Sequence, residues 1–245
     1  QNFSKQVSDV NVSLQTLHHT KKSKCKLHCF FKDTLNKWTE LNCRKEVVDY
    51  VAEVNGISET LPQILLHQDI LIQSLLRRLT FESKHSLEAL FDILEALARD
   101  VRSDFSRHFP ETLNMFLCLI SDGIEREPEL LKQLFACFAR LCKLLHEDLA
   151  RDISETLRNT QQLRLHKSAH IRSFTVQALG FVLRKSTDSQ FVLGMQLLLR
   201  EINDPGELKN VTNQLEIKYE SAGALLCEAV RGAAHGLHSS SEKIF

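Results

Sequence analysis

Apolar residues fall on the same spacing three times along this chain. The first copy is Leu87, Leu90, Phe91, Leu94, Leu97, Ala98 and Val101, and the second is Leu131, Leu134, Phe135, Phe138, Leu141, Cys142 and Leu145. The third is Ile171, Phe174, Thr175, Ala178, Phe181 and Val182, with Lys185 closing the series. The copies start 44 and then 40 residues apart, and each advances by steps of 3, 1, 3, 3, 1 and 3. Those steps put every member on one stripe of an α-helix. A second stripe repeats as well: Phe109, Leu113 and Leu117 return 40 residues later as Leu149, Ile153 and Leu157. A helical repeat of about 40–47 residues is the signature of HEAT- and armadillo-type solenoids. The predicted fold is therefore all-α, an α-solenoid of stacked antiparallel helix pairs.

The rest of the chain predicts further helices. Leu27, Phe30, Phe31, Leu35, Trp38 and Leu41 mark the first, and Val47 to Val54 the second, with Gly56 as its stop. Thr60 caps a third that holds Pro62 in its first turn. Pro110 and Pro128 sit in the first turns of two more, and Ser168 caps the helix of the third copy. Segments 149–158, 191–202 and about 216–235 complete the series, the middle one stopped by Asp204-Pro205-Gly206. No segment alternates with the period of a strand. Residues 1–25 are polar and lysine-rich without helical periodicity, and read as a flexible lead-in; residues 26–245 read as the repeat array.

At 245 residues, the chain is long enough for about five or six such repeats. It holds only 8 Gly and 4 Pro, too few for a chain of β-turns or a disordered linker. No apolar run approaches the ~18 residues of a membrane span, and the first thirty residues carry lysines but no apolar stretch, so no secretory signal is expected. The absence of an initiating Met at Gln1 suggests a piece of a larger protein. Seven cysteines at irregular spacing read as reduced thiols, with Cys118, Cys137 and Cys142 serving as small core residues.

Charge changes the picture. The net is zero, yet residues 156–187 hold six basic side chains and no acidic one. Arg164, Lys167 and Arg172 lie at its centre, between Arg158 on one side and Arg184-Lys185 on the other. Lys and Arg that neutralise phosphates release condensed counterions, so such a surface holds RNA without reading its sequence. The same residues also fit a solvated face, or ion pairs to acids elsewhere. A second basic cluster, Lys21, Lys22, Lys24 and Lys26, lies in the lead-in and suits nucleic acid or an import receptor.

Catalytic signatures are missing: there is no phosphate-binding Gly-rich loop, Gly-x-Ser-x-Gly elbow, zincin helix or Cys-x-x-Cys. His18, His19, Cys25, His28 and Cys29 form the one metal-like group, but their spacing fits no common zinc module. No cofactor, metal or small-molecule substrate is expected. Of the 14 Phe, those on the helix stripes read as core knobs rather than stacking platforms.

Several strings, in order, carry a family resemblance. They are Lys37-Trp38 with Leu41-Asn42, Leu65-Leu66-His67-Gln68, Leu97-Ala98-Arg99-Asp100, and Asp104-Phe105 with His108-Phe109-Pro110. His170-Ile171-Arg172-x-Phe174, Arg184-Lys185, Glu228-x-x-Arg231-Gly232 and Leu237-His238-Ser239 continue them. Together they resemble the N-terminal region of the small-subunit processome component 20 family, also called down-regulated-in-metastasis. The resemblance spans roughly residues 27–240. It implies a long HEAT-repeat, non-catalytic scaffold of the small-subunit processome (90S pre-ribosome), located in the nucleolus. It also implies pre-ribosomal RNA, the box C/D small nucleolar ribonucleoprotein and processome proteins as partners. The alternative is a HEAT adaptor of another kind, a transport receptor or regulatory scaffold that holds cargo peptides in a groove.

Overall fold

A computed structural model describes residues 28–41, 44–203 and 212–231. Helices account for nearly all of them, and no strand occurs among the described residues. The predicted all-α, solenoid-class architecture is what the chain adopts. The described residues fall into two compact units, one up to Leu144 and the other from Leu145 onward.

The first unit contains α1 (Phe30–Leu41), α2 (Lys45–Val54), α3 (Leu61–Arg78), α4 (Leu87–Val101), α5 (Phe109–Ser121) and α6 (Pro128–Leu144). Helix α4 is its centre and packs against α1, α3 and α6. The first-copy stripe explains this position, because Leu87, Leu90, Phe91, Leu94, Leu97, Ala98 and Val101 are all buried. The caps follow local chemistry. Gly56 ends the α2 region with φ of 88°, a left-handed conformation that suits glycine. Thr60 and Gln63 close a reciprocal capping box at the start of α3, and Pro62 occupies its first turn.

The start of α1 is held by a residue far away in sequence. Asp100, near the end of α4, accepts the Phe30 N–H on Oδ1 at 3.1 Å and the Phe31 N–H on Oδ2 at 2.8 Å. Two orphan donors of the first helical turn are thus satisfied by one carboxylate. Burial raises the Asp100 pKa above the ordinary carboxylate value, against the pull of those two N–H groups. Two residues on, Arg102 adopts φ of 57°, the one positive φ at a non-glycine among the described residues. It turns the chain into a 3₁₀ segment, Arg102–His108, that periodicity does not predict.

The second unit contains α7 (His146–Arg151), α8 (Ile153–Asn159), α9 (Gln161–Arg164), α10 (Ala169–Lys185), α11 (Asp188–Asn203) and α12 (Thr212–Arg231). The single segment expected over 149–158 is two helices, broken at Asp152 (φ −118°, ψ 70°), whose carboxylate caps α8 by accepting the Glu155 N–H. Helix α10 is the centre of this unit and packs on α12 at close range. A Cβ at Gly180 of α10 would stand 2.8 Å from Cβ of Glu228. The glycine is what lets the two backbones approach.

Candidate functional site: the acid-free basic segment

The six cations of residues 156–187 are spread over α8, α9, the turn at 165–168 and both ends of α10. Arg158, Lys167 and Lys185 are exposed. The three other arginines do something else.

Arg164 departs from the expectation of an exposed cation. It is 2% exposed, and its Nη2 donates to both oxygens of Glu201 on α11, at 3.0 and 2.8 Å. Its Nε and Nη1 are buried with no hydrogen-bond partner. The physical reason lies in the helix that carries it. Helix α9 is a single turn that also buries Leu163, and Arg164 follows into the interior, where an unpaired charge would be costly. Glu201 supplies the counter-charge. Arg164 therefore fastens α9 to α11 rather than standing on the surface.

Arg172 is half-buried and occupied on both nitrogens. Nη1 donates to the carbonyls of His166 and Lys167 at 3.0 and 2.9 Å, and Nη2 to Glu220 of α12 at 2.8 Å. It thereby shapes the turn that presents Lys167. At the other end of α10, Arg184 Nη1 donates to the Glu228 carbonyl and lies 3.7 Å from Oε2 of the same residue. Burial lowers the Arg184 pKa, and Glu228 offsets part of that. The acid-free stretch is thus matched by acids from the helices that follow it: Glu201, Glu220 and Glu228.

Sequence periodicity does not find those three acids, but one signal could have. The pairs are separated by 37, 48 and 44 residues, close to one repeat. In the first unit Arg140–Glu95, Arg107–Asp69 and Ser86–Glu46 are spaced likewise, at 45, 38 and 40 residues, whereas Lys32–Glu59 and Arg78–Glu53, at 27 and 25, join elements closer in the chain. Residues one repeat apart lie on neighbouring helices at similar heights, so opposite charges at that offset meet.

The cluster Lys21, Lys22, Lys24 and Lys26 lies outside the described residues, as do His18, His19 and Cys25. Of the metal-like group, Cys29 Sγ donates to Asp100 Oδ2 at 3.5 Å and accepts the Lys32 N–H at 3.4 Å. Its thiol is pushed up to about 11, chiefly by burial, which opposes the thiolate a metal needs. Among the described residues, no group of three or more His, Cys, Asp or Glu side chains is arranged to hold a metal ion. No helix among them is long and apolar enough to cross a membrane.

No protein family's sequence profile matches the chain. Two individual proteins do. The chain is 26% identical over 215 residues to U3 small nucleolar RNA-associated protein 20 of Saccharomyces cerevisiae. It is 24% identical over 218 residues to the protein of the same name in Schizosaccharomyces pombe. The matches cover 87% and 88% of this chain but only 8% of each relative's length. The resemblance carried by the strings from Lys37-Trp38 onward thus extends over most of the sequence, and the chain is a relative of the U3 small nucleolar RNA-associated protein 20 family.

Proposed function

We propose that this chain is part of a non-catalytic HEAT-repeat scaffold of the small-subunit processome, acting in small-subunit ribosomal RNA processing in the nucleolus. The observation that carries the reading is the match, across 87% and 88% of the chain, to two proteins named for association with the U3 small nucleolar RNA. The helical repeat supports it, since stacked helices leave long surfaces for partners. On this reading the partners are pre-ribosomal RNA, the box C/D ribonucleoprotein that contains U3, and neighbouring processome proteins.

Lys167 is the proposed phosphate contact of the basic segment. It stands exposed on a turn whose carbonyls Arg172 holds. Arg172 acts as a positioning residue for that turn, and Lys21, Lys22, Lys24 and Lys26 are proposed as a second basic contact. Phosphate contacts position without specifying sequence, so Lys167→Ala should weaken binding to unrelated RNAs about equally and lower the salt slope.

Immunopurification of the protein followed by sequencing of bound RNA tests the function. Enrichment of U3 and pre-ribosomal RNA is expected. Recovery of cargo proteins without those RNAs would select the transport-receptor or regulatory adaptor instead.

A further inference from the structure

Helix α3 buries one face and exposes two large aliphatic side chains among polar ones on the opposite face. Ile64, Leu71, Ile72 and Leu75 are fully buried, yet Leu66 is 77% exposed and Ile70 is 54% exposed. Leu66, Ile70, Gln73 and Arg77 advance by steps of 4, 3 and 4, which makes one straight stripe. Steps of 3 and 4 are the seam that a second helix needs to lie along the first at a shallow angle. A solvated helix face has no need of leucine and isoleucine at its centre.

A hollow continues the stripe towards α5. It measures about 330 Å³ and is lined by Gln73, Leu76, Arg77, Glu111 and Met115. Asp69 receives Arg107 Nη2 at 2.7 Å and lies 3.0 Å from His108 Nε2, which ties α3 to the residues leading into α5. Asp69 meets 107–108, and further on residues 73–77 and 111–115 face the hollow together, so α3 and α5 run in the same direction along it. At its end, the Arg77 side chain is 71% exposed. Its nearest acid, Glu53, sits 3.4 Å away and also serves Arg78. An incoming carboxylate therefore has a cation to meet. Nucleic acid fits poorly, because the exposed residues are aliphatic rather than aromatic and Glu111 lines the hollow.

We propose that this face of α3 docks an amphipathic helix of a protein partner. Apolar residues of that helix at i, i+3 or i+4, and i+7 cover Leu66 and Ile70 and place one side chain in the hollow over Leu76 and Met115. An acidic residue near one end pairs with Arg77. From Leu66 to Arg77 the stripe is ~16 Å long, about three turns of the partner helix. The surface belongs to the first unit and adds a protein contact to the proposed scaffold role.

The test places a photoreactive amino acid at position 66 of the natural protein in cells and sequences the crosslinked peptide. The expected product is one protein segment with apolar residues at helical spacing and Asp or Glu within a turn of one end. Arg77→Glu should lower its yield about tenfold, the size expected for reversing one close charge pair. Arg77→Lys should largely retain it, and both variants should melt within ~2 °C of the parent, because the site is exposed. Crosslinks to RNA, to a second copy of this chain or to another part of the same polypeptide would overturn the proposal. So would the absence of any crosslink, or a yield that Arg77→Glu leaves unchanged. Recovery of U3 RNA from the same cells reports on the proposed function independently.

Discussion

Single atoms decide how close the helices of this chain come. A methyl group at position 180 would meet Cβ of Glu228 at 2.8 Å, with backbone behind it. Gly180→Ala should therefore lower stability by about 1–3 kcal/mol, the usual range for overpacking. Gly223 of α12 is the control, since a Cβ there meets nothing within 4 Å. Gly223→Ala should raise stability by about 0.4–1 kcal/mol through helix propensity and the unfolded chain. Urea denaturation of the two variants reads both signs at once. Glu95 offers a pH counterpart. Both its oxygens accept from Arg140 Nη1, at 2.9 and 2.7 Å, yet burial pushes its carboxyl from 4.5 up to about 7. Between those values the folded chain holds a proton that the unfolded chain has released. Stability should fall as pH rises through that window and level off above it. The raised pKa of Asp100 contributes in the same direction. Denaturation midpoints of the parent and of Glu95→Gln at pH 5 and pH 8 check this, with a shallower decline expected in the variant.

Elements were legible where a local rule fixes them. Thr60 with Pro62, Gly56, Pro110 and Pro128 each mark an observed helix boundary, and the apolar steps identify the buried faces of α4 and α6. The break at Asp152 and the 3₁₀ segment after Val101 were not legible, because tertiary packing sets them and the apolar stripe runs on regardless. The third copy also differs in degree. Leu94 and Phe138 are buried, whereas Phe181 is only half-buried and sets its ring edge-on to His146, with centroids 6.2 Å apart. Leu94→Ala and Phe138→Ala should each destabilise by about 2–5 kcal/mol. Phe181→Ala should cost clearly less, about 1–2 kcal/mol, since less apolar area leaves water there. Equal midpoint shifts for Phe138→Ala and Phe181→Ala would contradict this ranking.

Over the whole molecule, charge along the sequence and charge on the surface are different quantities. Residues 156–187 carry six positive charges on paper, but Arg164, Arg172 and Arg184 are met by Glu201, Glu220 and Glu228. The candidate site was legible as a stretch, and Lys167 within it as an exposed cation. The burial of Arg164 was not, because its partner lies 37 residues on, in another helix. Removing a partner acid should restore part of the hidden charge. Glu220→Ala exposes Arg172 to solvent anions, so this variant should elute from heparin at higher salt than the parent. Lys167→Ala should elute at lower salt. Identical elution of all three proteins would mean that neither residue contributes to the outward field.

The matched acids all come later in the chain than the arginines they neutralise. Translation proceeds from the N-terminus, so Arg164 emerges 37 residues before Glu201, Arg172 48 residues before Glu220, and Arg184 44 residues before Glu228. At roughly 5–20 residues per second, each cation waits on the order of 2–10 s for its partner. During that interval the newborn chain displays an unneutralised basic run beside the RNA of the ribosome that is making it. As α11 and α12 dock, Glu201, Glu220 and Glu228 reach the three arginines, and the charge that this stretch shows to its surroundings falls.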